Sequence, residues 1–407
     1  MADSPPPTGL AHVATASFLA SRVAPSAGFA IALAGGVALA RAAQRSTLKR
    51  GWAASLAAML QTIAIMGPLR VNVPLTQAIS APVLGRMEVR GFGTVAQACA
   101  AGAIRLTHNT IGTAFYIWVI VGLSAYAGTY DTVIRFFLPF LPDGETGALI
   151  GTGVTLLVWT VVGSTLQALV YRRGLRRWPA DPEAPDPDAE PPPPRTDAPH
   201  ARFDPRAVFG AAVVAFALLL ASTDWPLLAA MSAWLGLAWL VARGDSSVVK
   251  PGLILTAALM FGTLVLGLVG GQGLEETLQR VLRAGLLVLV ATWMRYAAGE
   301  EGLREVFRRI LHRLRWIPAM RETAAVLNGL GSTGALFESG KRLMERLKDV
   351  PVEVVPVTDA VLDWVTGEAD RHPPAHPEPA RPLRAHGRDA LLVGLAAATV
   401  LALPFAT

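Results

Sequence analysis

The sequence predicts an all-α, polytopic membrane protein, and three observations carry that reading. Apolar residues fill 52% of its 407 positions against 16% charged, and the mean hydropathy is +0.43, well above what a water-soluble surface tolerates. Uncharged runs long enough to cross a bilayer, about 20 residues for roughly 30 Å of hydrocarbon, recur at 51–69, 106–130, 146–171 and 251–274. None of them alternates with period two, so helices rather than barrel strands must satisfy the backbone in lipid. The single cysteine, Cys99, forms no internal disulfide. The opening stretch MADSPPPTGL has no basic n-region, so no cleaved signal peptide is expected. Although the net charge is +6, the basic residues stand beside apolar runs, where they orient helices, and no nucleic-acid partner is expected.

Composition divides the chain in the middle. Residues 179–201 are dominated by proline and acidic residues, cannot bury a core, and read as an extended linker. Basic residues flank the linker in YRRGLRRW and RFDPR, which puts it in the cytoplasm by the positive-inside bias. The first half, 1–178, predicts helices at 27–41, 51–67, 74–86, 91–106, 110–128 and 146–171, with 131–141 as a further crossing or an interfacial segment. The second half, 202–407, predicts helices at 207–223, 225–242, 251–270, 281–298 and 389–406. The expectation is about 11–12 transmembrane helices in two halves.

Between the last two helices lies a polar region, about 300–388, which loop parity places in the cytoplasm. Three helices there repeat apolar residues at helical spacing: Leu303, Val306, Phe307, Ile310, Leu311, Leu314 and Ile317; then Leu336, Phe337, Leu343, Met344 and Leu347; then Val357, Val361, Leu362 and Val365. They suit a docking platform for a partner, and equally a resting place on anionic membrane lipids.

The order of parts in the second half resembles the transmembrane T-component of energy-coupling factor (ECF) transporters. The residues that carry the resemblance are Phe203-Asp204-Pro205-Arg206 at the start of a helix, RWIP at 315–318 after a basic amphipathic segment, and Arg388-Asp389 opening the last helix. Asp204 and Pro205 also read as an ordinary N-cap and N1 pair. The first half, about 10–178, is similar in size and style to a substrate-binding S-component, with GPLRVNVPLTQAISAPVLG followed by a small-residue helix at 91–110. The resemblance implies the membrane part of an ABC-type importer in a bacterial inner membrane. It would bind a small organic nutrient, a vitamin or cofactor precursor, and take its energy from separate ATPase subunits that hold ATP and Mg. The family's Ala-Arg-Gly coupling triplets are missing here, which leaves Arg315, Arg321, Lys341, Arg342 and Arg371 as the residues to contact an ATPase. It also keeps open a second class, a membrane scaffold or assembly factor that has such a fold without transport.

Polar residues inside apolar segments are costly and mark substrate paths or helix contacts. In the first half these are Asn72, Gln77, Arg105, His108 and Asn109 as candidate substrate ligands, with Gln61 and Gln97 inside helices. No His, Cys or carboxylate cluster has metal-ligand spacing, and His372, His376 and His386 sit in a proline-rich loop, so an organic substrate is expected rather than a metal. GALFESGKR at 334–342 has five residues between its glycines and Arg342 where a P-loop has Ser or Thr, and it lacks a preceding strand. No catalytic or cofactor motif is present, so no enzyme activity is expected of this chain.

Overall fold

A computed structural model describes residues 7–22, 27–134, 136, 139–178, 202–244, 246–351, 353–370 and 386–401, and every regular element among them is helical. The linker 179–201, Arg371, His372, His376 and the end of the last expected helix lie outside the described residues. The α-helices in chain order are α1 (Thr8–Ala20), α2 (Gly28–Arg45), α3 (Leu48–Met66), α4 (Asn72–Val89), α5 (Thr94–Ala114) and α6 (Leu123–Thr129). They continue as α7 (Gly144–Arg177), α8 (Pro205–Ala221), α9 (Trp225–Val241), α10 (Val249–Val269) and α11 (Leu274–Arg313). The last four are α12 (Pro318–Gly329), α13 (Thr333–Leu347), α14 (Val354–Asp370) and α15 (Gly387–Ala398). The chain forms two compact units, each discontinuous in sequence. Unit 1 comprises residues 1–106, 160–197 and 307–381, and unit 2 comprises 107–159, 198–306 and 382–407.

Unit 1 is organised around α1, a helix the apolar pattern alone does not predict. It is only 13 residues long and rich in Ala, Ser and Thr, yet all but one of them are buried. Its neighbours are α2 and α3 on one side of the sequence and α12, α13 and α14 on the other. Small residues allow close approach: a Cβ on Gly35 would come within 2.8 Å of Ser17 Cβ, and one on Gly329 within 2.7 Å of Thr8 Cγ2. The expected apolar stripes of the last two amphipathic helices are therefore largely covered within the unit. Leu336, Leu343, Val361, Leu362 and Val365 are buried, whereas Phe337, expected on the same stripe, is 55% exposed.

The arginine-rich end of α7 is paired on two faces. Residues four apart share a helix face, so Arg172 and Arg176 both reach Glu88 on α4, at 3.1 and 3.0 Å. Arg173 and Arg177 both reach Asp359 on α14, at 2.7 and 2.9 Å. Glu88 also accepts from Gln97 Nε2 at 2.6 Å. Burial alone would raise the Glu88 carboxyl; hydrogen bonds from Gln97 and Arg176 and the charges of Arg172 and Arg176 outweigh it, so its pKa falls below the ordinary glutamate value.

In unit 2 the two ends that carried the family resemblance meet. Asp204 caps α8 by accepting from Arg206 N at 2.8 Å, and its own backbone N–H donates to Asp389 Oδ1 at 2.9 Å. Asp389 Oδ2 accepts from His386 N at 2.7 Å. One buried carboxylate thus satisfies the N-terminal backbone of two helices.

The same unit contains the break of a helix. Residues 91–106 and 110–128 were expected as two helices, but α5 continues through Gly112 into a π-helical stretch, Phe115–Val121, and breaks at Gly122. Gly122 has φ +94, and the chain turns by 98° there. A lone glycine inside a helix is tolerated, whereas a positive φ is what ends one. In α11, Gly299 at φ +68 interrupts the helix where the apolar span was expected to give way to the amphipathic segment.

Three helices are long and apolar enough to cross a membrane, by length and composition: 144–177, 246–269 and 274–313; a fourth results if the bent pair around Gly122 counts as one span. The expected 11–12 spans are not confirmed. Helices α8 and α9 are both 17 residues long, about 25 Å at 1.5 Å per residue and short of a full core crossing. Helix α1 is shorter still, and α2 and α3 carry Arg or Lys among their alanines. The exposed faces of the span candidates are apolar: Val158, Val161 and Leu169 on α7, and Ile254, Phe261 and Leu268 on α10. Such continuous surface suits lipid rather than water.

Two stability predictions follow from these pairings. Because the folded Glu88 pKa is depressed, its contribution is present above about pH 4.3, the unfolded value, and is lost as pH falls through the folded value. Glu88→Gln should lower the unfolding midpoint at pH 7 and flatten its decline between about pH 5 and 3, read by circular dichroism in detergent. Asp389→Ala should cost about 1–3 kcal/mol by orphaning the buried Asp204 N–H and the part-buried His386 N–H, and Asp389→Asn, which keeps one acceptor, should cost less in the same assay.

Candidate functional site

The most concentrated buried polar chemistry in unit 1 lies where α4, α5 and α7 pack together. On α7, Thr160, Ser164, Gln167 and Tyr171 fall on one buried stripe, with the apolar Val161, Val162, Leu166 and Leu169 exposed on the other side. On α4, Gln77 and Ser80 share a face, and on α5 the buried positions are Gln97, Ala101 and Arg105. On α7 in particular, the polar residues of this stretch turn inward and the apolar ones outward.

These residues form one network. Arg105 Nη2 donates to Gln167 Oε1 at 2.9 Å, and Gln167 Nε2 donates to Ser80 Oγ at 2.6 Å. Ser80 Oγ donates in turn to the Thr76 carbonyl at 2.7 Å. One turn along α7, Tyr171 Oη donates to Gln77 Oε1 at 3.1 Å. The guanidinium of Arg105 also lies 5.8 Å from the centroid of the Phe29 ring, within cation–π range. Glycines make room for this arrangement. A Cβ on Gly163 would stand 3.2 Å from Arg105 Cζ, and one on Gly36 only 1.6 Å from Tyr171 Oη.

The charge is not balanced inside the network. Arg105 is 3% exposed and its polar partner is an amide, with no carboxylate bonded to it among the described residues. Two buried N–H donors, Arg105 Nε and Gln77 Nε2, have no acceptor. A buried guanidinium without a counter-charge is costly, and donors left over beside it suit an oxyanion, which guanidinium binds in a bidentate fork. No group of three or more His, Cys, Asp or Glu that could hold a metal occurs among the described residues.

Of the sequence-predicted ligands, the structure brings Gln77 and Arg105 together. Asn72 is exposed at the first residue of α4, and His108 and Asn109 are half-buried and belong to unit 2. Gln97 bonds Glu88 and the Phe92 carbonyl instead, and Gln61 is buried on α3. Gln167, Ser80 and Tyr171 were not singled out from the sequence. Their signal was the polar spacing 160, 164, 167, 171 inside an otherwise apolar helix.

The candidate coupling residues divide in the same way. Arg315, Arg321 and Lys341 are exposed, Lys341 with only a long pairing to Glu345 at 3.8 Å. Arg342 is engaged internally: it pairs with the buried Glu368 and donates to Ser339 Oγ at 3.1 Å. Ser339 also donates to Glu368 at 2.7 Å and lies 3.2 Å from His12 Nε2, tying α13 and α14 to α1.

Gly36→Ala should displace Tyr171 and cost about 1–3 kcal/mol of stability. Combined with Tyr171→Phe, which removes the clashing oxygen, it should cost less than the sum of the two single changes, as a double-mutant cycle of thermal unfolding would read. No protein-family model, no curated protein and no solved structure matches this chain, and nothing among these comparisons identifies a T-component.

Proposed function

We propose that this chain is the membrane-embedded part of an ECF-type importer, in which unit 1 binds a small organic nutrient through an anionic group. The observation that carries the reading is Arg105: a buried guanidinium in a polar network of Gln167, Ser80, Gln77 and Tyr171, with an orphaned Nε and no carboxylate bonded to it among the described residues. A carboxylate or phosphate on a vitamin or cofactor precursor would supply the missing charge and the missing acceptors. The amides and the tyrosine would orient its polar atoms, and the surrounding apolar faces would exclude water.

In this reading the chain catalyses nothing and holds no cofactor. ATP and Mg belong to separate ABC-type ATPase subunits on the cytoplasmic side of a bacterial inner membrane. Arg315, Arg321 and Lys341 are the candidates to contact those subunits, because their side chains are exposed. The finer topology, with 11–12 spans in two halves, belongs to the same proposal.

A second reading, a non-transporting scaffold, is favoured by one observation. The apolar faces of α13 and α14 are largely covered by helices of their own unit and Arg342 is held by Glu368, an arrangement that also suits purely structural helices.

One purification separates them. Chain extracted from its native membrane should bring down a nucleotide-binding subunit, and Arg315→Ala/Arg321→Ala should reduce the recovered ATPase activity at least fivefold without loss of helicity. A panel of small carboxylates and phosphates, screened by thermal shift, should include a ligand whose stabilisation is lost in Arg105→Gln. A chain that purifies alone and responds to none of them would leave the scaffold reading.

A further inference from the structure

We propose that unit 2 contains a second oxyanion site, built from Arg280 and Arg283 on the first turns of α11 and the helix break at Gly122. It is independent of the importer reading and of Arg105. The charge count around it is lopsided. Arg280 donates to Glu276 at 2.7 Å, and Glu276 also takes a long bond from Gln272 at 3.4 Å. Glu275, the other acid of this turn, accepts from Trp225 Nε1 at 3.1 Å. Arg283 is 6% exposed, three residues beyond Arg280 and under its like charge, and has no hydrogen bond or ion pair among the described residues. Glu276 is thus bonded to Arg280, and no carboxylate is bonded to Arg283 among the described residues.

Both arginines also carry an orphaned donor. Arg280 Nε and Arg283 Nε are buried donors without acceptors. The break at Gly122 brings backbone against this cluster. Gly122 N–H closes a six-residue, π-type turn onto the Ile117 carbonyl at 2.7 Å, and a Cβ on Gly122 would lie 2.4 Å from Arg280 Cζ. Gln272 donates to Ser124 Oγ at 3.0 Å just past the break, holding the loop before α11 to the chain after Gly122. The broken segment fits only a residue without a side chain beside that guanidinium.

Position narrows the ligand. Arg280 and Arg283 stand about 9 and 14 Å along the axis from Leu274, at 1.5 Å per residue, at one end of a helix long and apolar enough to span a membrane. Charged side chains in such segments are retained for a partner, and paired arginines at a span's end match a phosphate, which accepts from both forks. The chemistry is that of a phosphate monoanion or dianion. An anionic lipid headgroup and a free phosphate group both present it.

The test uses the full chain, stripped of lipid in a neutral detergent, and thermal unfolding as readout. Inorganic phosphate is titrated in one arm. In the other, the chain is placed in nanodiscs of phosphatidylcholine with or without phosphatidylglycerol. We expect the midpoint to rise by several degrees with one or both probes, and the apparent affinity to fall at least tenfold in Arg283→Gln. Arg283→Lys, which keeps the charge and loses the fork, should fall between and serves if the glutamine variant does not fold. Stabilisation by phosphate alone assigns the site to a free anion, and by phosphatidylglycerol alone to a lipid headgroup. Absence of a shift in both arms, or equal shifts in the wild type and both variants, overturns the site.

Discussion

The close packing of α1 is the constraint on which unit 1 depends. A helix of 13 residues cannot nucleate a stable fold by itself, and this one contributes few large side chains, so its burial requires backbone-to-backbone approach. Glycines at 35, 329, 331 and 340 provide it from α2, from the end of α12, from the turn after it and from α13. The consequence reaches the amphipathic helices. With α1 in place, Leu336, Leu343, Val361 and Val365 have a protein surface to cover, and the buried His12, Ser339 and Glu368 fix how α13 and α14 meet it. Helices whose sequence suggests a peripheral platform are thereby part of a core.

The pairing of the arginines on α7 shows how charge and packing divide labour in the same unit. Sequence position marks YRRGLRRW as an orientation signal, and the structure gives its four arginines two separate carboxylates. The helix period makes that possible, since positions 172 and 176 face α4 while 173 and 177 face α14. Arg105, deeper in the network, is treated differently: it receives an amide, a ring face and a glycine. Where a carboxylate is wanted for structure the chain supplies one, which makes the omission beside Arg105 informative.

Much of this was legible. The helices at 51–67, 225–242 and 251–270 differ from the observed bounds by two or three residues at most, because long apolar runs bounded by Gly, Pro or charge have few alternatives. The start of α11 was not legible. LEETLQR reads as a polar loop, yet its acidic first turn complements the helix dipole and extends the helix seven residues toward Leu274. Helix α1 was missed because its burial comes from neighbours distant in sequence. At the site, Gln77 and Arg105 could be chosen as polar residues in apolar segments. Gln167 and Tyr171 needed a helical count along α7, and only tertiary packing separates Gln97, which bonds Glu88, from its neighbours in the network.

The two unmatched arginines share a logic that bears on how the fold came to hold them. A guanidinium never sheds its proton in practice, so burying one commits the surrounding helices to a permanent charge. Hydrophobic replacement would often be as stable or more so, and a purely structural polar contact could be made by an amide alone, as Gln167 does with Ser80. Arg105 is met by an amide, a ring face and a glycine, and Arg283 lies beside the like charge of Arg280, with no acid bonded to either among the described residues. In the two proposals made above, the counter-charge for both comes from outside the chain.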